Sequence, residues 1–387
     1  MNNRQRITLA CFLAYFVMSS MLAPIGIIST PLAGHYGLTV SAMTEQFSAL
    51  TLGILVGAIA ALFLPTQSAF RLVFAGLFIA LSALLVTLAS LPPLQLFTLA
   101  LGGVGVGCGI GLAAAATTIS RLYDGNQRAS ALVATDGCFS AAGVIVPFAT
   151  TTMLSRDLST GGVFALIACV CALIVVLAVS GRFPAAGRAP REPSAATRRK
   201  IWPATAWLGI AALSMYTLGQ YAILFWLPAH LSETYSIPVT QGGALVSRFW
   251  TGMFIAQVVV AVLVLQAGTY RLLAIAAVAT AVGSVPLWQT GNLAALQVLA
   301  LLWGVANLGL LKLALTFVTL QFEAPTPRLV SCVLLGATLG TAISPLLTSR
   351  LVDFAGTASA LQFGTGCHFV MAVLLWVALV RTTGETK

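Results

Sequence analysis

Apolar runs of roughly 20 residues, the length that crosses about 30 Å of hydrocarbon, recur near 7–31, 43–65, 71–90, 94–120, 130–154, 162–181, 203–229, 241–266, 272–289, 294–320, 329–349 and 359–380. Polar borders carrying Pro or Gly separate them, as at Pro92-Pro93 and Gly291-Asn292. The pattern predicts twelve membrane-spanning helices. The loops near 66–70 and 290–293 are so short that the helices flanking each must be antiparallel neighbours. Only the stretch from Arg182 to Trp202 reads as a linker: it is rich in Pro and Ala and holds six cations against one acid. It divides the spans six and six. The chain therefore reads as an all-α membrane protein with a six-helix bundle over 1–181, a basic cytoplasmic linker over 182–202 and a second six-helix bundle over 203–387.

An internal repeat supports that division. His35-Tyr36-Gly37-Leu38-Thr39-Val40-Ser41 aligns with Thr234-Tyr235-Ser236-Ile237-Pro238-Val239-Thr240, and Phe70-Arg71-Leu72 with Tyr270-Arg271-Leu272. Arg128 falls on Arg328, and Ser155-Arg156 lies near Ser349-Arg350. Two halves of parallel topology form the arrangement in which a solute site sits between them near the bilayer midplane.

Composition removes the soluble alternatives. With 59% hydrophobic and 7% charged residues and a mean hydropathy of +1.00, the chain lies far from the roughly 25% charge of a soluble domain. The net charge of +10 does not point to nucleic acid, because the cations sit in short loops between apolar segments. If the N-terminus is cytoplasmic, fifteen Lys and Arg lie on that side and two, Arg156 and Arg350, on the other. This asymmetry puts both termini in the cytoplasm and the chain in a bacterial inner membrane. Arg4 and Arg6 precede a long apolar run with no small-residue cleavage site, so the start reads as a first span rather than a signal peptide. The seven cysteines lie within apolar segments and read as packing residues, and no spacing calls for a metal or another cofactor.

The stretch LYDGNQRASALVATDGCFSAAGVIVP, from Leu122 to Pro147, carries the first sign of chemistry. Asp136 stands eight residues after Arg128, roughly 12 Å along a helix and past the headgroups. An Asp at the middle of a membrane helix costs about 2.5–3.5 kcal/mol on insertion scales, so such residues face a protein interior or a wet cavity. Twelve spans, the repeat and the basic central loop resemble the major facilitator superfamily over nearly the whole chain. More narrowly, Asp136, Phe139, Ser140, Gly143 and Pro147, preceded by Tyr123, Asp124, Gly125, Gln127 and Arg128, resemble the TsgA-like transporters, a branch close to the fucose:proton symporters. The loop Leu64-Pro65-Thr66-Gln67-Ser68-Ala69-Phe70-Arg71 departs from the superfamily pattern, lacking its Gly, Asp and repeated basic residues. The resemblance implies a self-sufficient monomer in which spans four, five, ten and eleven close the cytoplasmic side, with proton coupling and a small polar solute.

Asp136 is then either a proton carrier or one side of a gate, with Lys312 in the cytoplasmic half of span ten as its natural partner, although a Lys there can also snorkel or bind a substrate carboxylate. Arg248, in the outer half of span eight, can bind a carboxylate, phosphate or sugar hydroxyls, or can snorkel. Glu45 opens span two near the repeat-equivalent of Arg248. Span seven carries Tyr216 and Gln220 on one face, with Tyr221 and Trp226 near them; these suit a sugar or flat solute as well as they suit an interfacial belt. Asn307, one turn beyond Trp303, reads as cavity lining or an interhelical hydrogen bond, and Ser140 of the motif joins the solute candidates. His368 reads as a packed residue. The run Gly102-Gly103-Val104-Gly105-Val106-Gly107-Cys108-Gly109-Ile110-Gly111 matches a dinucleotide fingerprint but follows no strand, so it reads as helix packing.

No HExxH or placed GxSxG occurs and the three histidines are scattered, so the chain reads as no enzyme. The expected function is a secondary active transporter for a sugar-like solute or organic anion, working by alternating access with proton coupling. Drug or metabolite export, and a non-transporting sensor on the same fold, are its rivals. The charge asymmetry makes a topology prediction: a fluorescent protein fused behind Lys387 will fluoresce, and alkaline phosphatase at the same point will be inactive. The opposite pair of results would reverse the orientation.

Overall fold

The computed structural model describes residues 2–63, 70–123, 125–181, 183, 202–307, 309–322 and 327–385, which places nearly all of the expected linker, and the loop at 66–69, outside the described residues. The first half holds α1 (Asn3–Leu22), α2 (Ile25–Tyr36), α3 (Val40–Ala60), α4 (Phe70–Ala89), α5 (Leu94–Leu122), α6 (Gly125–Leu154) and α7 (Gly162–Ser180). The second holds α8 (Ala204–Tyr235), α9 (Val239–Ala267), α10 (Thr269–Ser284), α11 (Leu293–Ala306), α12 (Leu310–Leu320), α13 (Pro327–Ala355) and α14 (Thr357–Glu385). Eleven segments among the described residues are long and apolar enough to cross a membrane. The 29-residue α9, packed between α6 and α11, completes the twelve crossings that the apolar runs predict.

Two crossings are broken where the sequence pattern predicts continuous helices. Pro24, between α1 and α2, has no N–H to give to the preceding turn, and the chain restarts there with Ile27 donating to the Pro24 carbonyl. The tenth crossing divides into α11 and α12 at Asn307, with Gly309 in the left-handed region at φ 61°. Apolar periodicity cannot show such breaks, because the residues on both sides are equally hydrophobic. Caps follow the sequence more openly. Asn2, Thr39 and Asn292 accept from backbone amides at the starts of α1, α3 and α11. The repeat is also visible in its turns: Gly37 and Ser236, aligned in sequence, both end their helices in the left-handed conformation.

The glycine run of α5 is a packing device on two sides. A Cβ on Gly105 or Gly109 would strike the backbone of α3 at the Leu50 or Ile54 carbonyl, while one on Gly103 or Gly107 would strike Leu84 or Leu81 of α4. The second half repeats the α3–α5 crossing. Gly252 lies against the Leu301 carbonyl and Gly304 against that of Phe249, as Gly53 lies against Gly102 and Gly105 against Leu50. Each residue of the first crossing stands 199 positions before its counterpart in the second, so the repeat preserves two close backbone approaches.

Contacts between the two halves run through α2 against α8, α6 against α9 and α3 against α13. Gly26 of α2 meets the carbonyls of Leu224 and Phe225 so closely that a Cβ has no room. One buried apolar cluster extends through both halves, whereas a second, built on Leu272, Leu313, Phe317 and Val333, belongs to the second half alone. The halves are thus sealed together toward the end remote from the termini. Replacing Gly105 or Gly304 by Leu will destabilise the purified protein by about 1–3 kcal/mol through overpacking, read as a lower melting temperature. Gly76→Ala, with open space around it, will not.

Candidate functional site

Helix α6 starts on the side of the termini, and Asp136 lies eleven residues in, roughly 16 Å along its axis. Across from it stands Lys312, the third residue of α12. Lys312 Nζ lies 2.7 Å from Asp136 Oδ2, with the carboxylate side chain 24% exposed and the lysine 49%. The pairing expected from sequence is therefore present. It joins the two halves, and both of its side chains are partly exposed.

The rest of the Asp136 motif serves the contact between α6 and α9. Trp250 packs on Gly143, where a Cβ would collide with its indole, and its ring stands edge-on to Phe139 at 5.7 Å. Ser140 Oγ accepts from Gln257 Nε2 at 2.8 Å, and Ser247 donates to the Val144 carbonyl at 3.2 Å. Phe139, Ser140 and Gly143 thus bind helix to helix. The loop ahead of the motif is held in turn by α1. The Tyr123 hydroxyl pairs with Thr8 at 2.8 Å, the Arg4 guanidinium lies 4.0 Å above the Tyr123 ring and Arg4 donates to Gln127. Arg128 donates to the Tyr123 carbonyl.

A second group of candidates gathers inside the second half. Tyr216, Gln220 and Tyr221 of α8 are at most 5% exposed. Asn307, at the α11–α12 break, donates to the Trp303 carbonyl at 2.7 Å, and its Oδ1 is buried without a hydrogen-bond partner. Trp303 spends its own N–H on the Thr280 carbonyl and stacks on Phe249 at 4.5 Å. His368 of α14 is fully buried between Trp303, at 5.8 Å, and Tyr216, at 6.3 Å, which is a packed position. Trp226 donates to Thr348 of α13 at 2.8 Å, so its polar atom is committed to holding α8 against α13.

Arg248 and Glu45 are not brought together. Arg248 is exposed on the stripe of α9 that also presents Gln241, Ile255 and Val259 outward, a face turned away from Asp136 and Asn307. Glu45 instead meets Arg350 of α13, with Arg350 Nη2 2.7 Å from Glu45 Oε1, and Ser41 donates to Asp353 beside it. Arg350 enters the sequence reading as a repeat match and as a cation on the sparsely charged side, without a partner for Glu45, and Asp353 does not enter it. Counting acids by side as well as cations sets Glu45 and Asp353 opposite Arg350.

Comparison with known proteins matches this architecture. Residues 208–387 match the family model of the Major Facilitator Superfamily. The chain is 27% identical over 378 residues to a protein named TsgA homolog from Yersinia pestis, covering 96% of this chain and 95% of that one. The TsgA homolog of Yersinia enterocolitica is equally similar over 382 residues, covering 97% and 96%. Among solved structures, a D-xylose-proton symporter superposes with a TM-score of 0.76 at 14% identity, covering 97% of this chain and 98% of that one. A point mutant of the nucleoside transporter NupG gives 0.75 at 11%, covering 97% and 100%. The chain has the major facilitator fold, and both of these structural neighbours are transporters.

A double-mutant cycle will show how much the Asp136–Lys312 pair holds. With both side chains partly exposed, its coupling will be about 1 kcal/mol, near the value for exposed pairs and well below the 3–5 kcal/mol lost on breaking a sealed pair. Thermal unfolding of Asp136→Asn, Lys312→Met and the double variant gives the number.

Proposed function

We propose that this chain, which carries a Major Facilitator Superfamily domain and the superfamily's fold throughout, is a proton-coupled secondary transporter of a small hydroxylated solute or organic anion. The observation that carries the reading is the Asp136–Lys312 pair, a carboxylate and an ammonium that bridge the halves from within membrane spans. An ionisable pair so placed costs insertion energy that a purely structural contact avoids with apolar residues. Protonating Asp136 cancels its charge and dissolves the pair. Helix α12 is then free to leave α6, and the terminal side opens. Deprotonation restores the attraction and draws the halves together. Proton binding and gate opening become one event, because the same oxygen that takes the proton holds the lysine.

The solute-facing set in this reading is Tyr216, Gln220 and Tyr221 from α8 with Asn307 from the end of α11. Amide and phenol groups suit a ligand rich in hydroxyls, and the free Asn307 Oδ1 supplies an acceptor at a helix break, where transporters tolerate irregular backbone along their solute paths. The D-xylose and nucleoside carried by the neighbouring folds are hydroxylated solutes of this kind. Arg248 takes no part, since its exposed stripe points away from this set. Ser140 and Trp226 support it from the helix contacts they already make, and Glu45 acts at the remote end with Arg350. The protein works as a monomer in the inner membrane with both termini cytoplasmic.

A panel of sugars, nucleosides and organic acids will identify the ligand by thermal stabilisation, since a ligand of the native state alone raises apparent stability by RT ln(1 + [L]/Kd). In proteoliposomes, an imposed pH gradient will drive uptake of the best hit. Asp136→Asn will abolish concentrative uptake and retain solute counterflow. A variant that still concentrates solute under the gradient would remove Asp136 from coupling.

A further inference from the structure

The seam between α3 and α13 carries buried hydroxyls on both of its faces. On α3 the residues Ser41, Thr44, Ser48 and Thr51 fall three or four apart and share one helix face. That face looks at α13, because Thr51 donates to the Ala342 carbonyl at 2.8 Å and Ser41 donates to Asp353. Ser349 stands on the opposing face of α13, seven residues beyond Ala342 and four before Asp353. Thr44 and Ser349 are fully buried and Ser48 is 6% exposed, yet their three hydroxyl oxygens have no hydrogen-bond partner. Across the molecule, the α6–α9 contact gives both of its hydroxyls partners, Ser140 with Gln257 and Ser247 with the Val144 carbonyl, and leaves the Trp250 indole N–H without one. Closing the α3–α13 seam strips water from three hydroxyls and returns nothing to them, a state disfavoured for each one.

What opposes that cost is the clasp at the seam's remote end. The Arg350 side chain is 68% exposed and that of Glu45 25%, so their ion pair is weakened by water. Asp353, which takes the Ser41 hydroxyl, is also exposed. A weak clasp therefore stands against a seam that gains hydrogen bonds from water when it parts.

We propose that the α3–α13 seam is a spring-loaded outer gate, in which Thr44, Ser48 and Ser349 favour the open, wetted state and Glu45–Arg350 with Ser41–Asp353 hold it shut. This goes beyond the proposed transport function, and its readout needs neither a solute nor a proton gradient. Hydrogen–deuterium exchange of the intact protein in lipid nanodiscs measures opening at residues 41–48 and 349–355, with α5 as an internal reference. Removing the unpartnered hydroxyls in Thr44→Val, Ser48→Ala and Ser349→Ala, singly and together, will slow exchange there, by roughly tenfold for the triple variant. Breaking the clasp in Glu45→Gln with Asp353→Asn will speed exchange there. Thr51→Val, which removes a hydroxyl that does have a partner, will also speed it. Unchanged or faster exchange in the hydroxyl variants, at an unchanged melting temperature, would overturn the proposal, as would a broken clasp that leaves exchange unaltered. Should the triple variant melt early, the single Ser48→Ala and Thr44→Val variants decide by the direction of their change.

Discussion

A polar side chain inside hydrocarbon has no water to turn to, so it must find its partner in the protein or bear the cost of having none. That constraint arranges this molecule. Many hydroxyls return to their own helix carbonyls, as at Ser20, Thr118 and Thr150. Others reach across helices, some within one half, as from Trp226 to Thr348, and some where the two halves meet. Ser140 with Gln257, Thr51 with Ala342, Glu45 with Arg350 and Asp136 with Lys312 all cross that boundary. Apolar residues fill the bundles, and these polar contacts are shared between the halves.

The sequence makes the fold legible because apolar run length and Lys/Arg placement are direct consequences of the bilayer. The repeat is legible for a steric reason. Gly53, Gly105, Gly252 and Gly304 stay in register because no other residue fits where two backbones touch. The helix breaks at Pro24 and at Asn307 are less visible, since apolar periodicity is the same on both sides of a break. The Leu310 amide turning back to the Asn307 carbonyl is a conformational event that Gly309 permits without announcing.

Of the candidate site, the Asp136–Lys312 pair can be read from the cost of charge in a membrane span together with the implied closure by spans five and ten. Arg248 cannot be placed the same way. Its distance along α9 is clear from sequence, but the side it faces depends on which arc of α9 the neighbouring helices cover. Ser140 shows the converse. A motif residue that resembles solute chemistry is occupied in joining α6 to α9, a role that emerges only once Gln257 is opposite it.

The break between α11 and α12 gives Lys312 a mechanical setting that an unbroken helix would deny it. Lys312 rides on an eleven-residue segment, roughly 16 Å long, hinged at a left-handed glycine. The aromatic block of Trp303, Phe249 and His368 lies on the other side of the hinge. The segment is a short lever whose charge sits near its fulcrum. In the proposed gate, a small rotation at Gly309 would shift the ammonium only slightly while carrying the distal end near Leu320 much farther, so that loss of a single ion pair would be amplified into displacement at the membrane face.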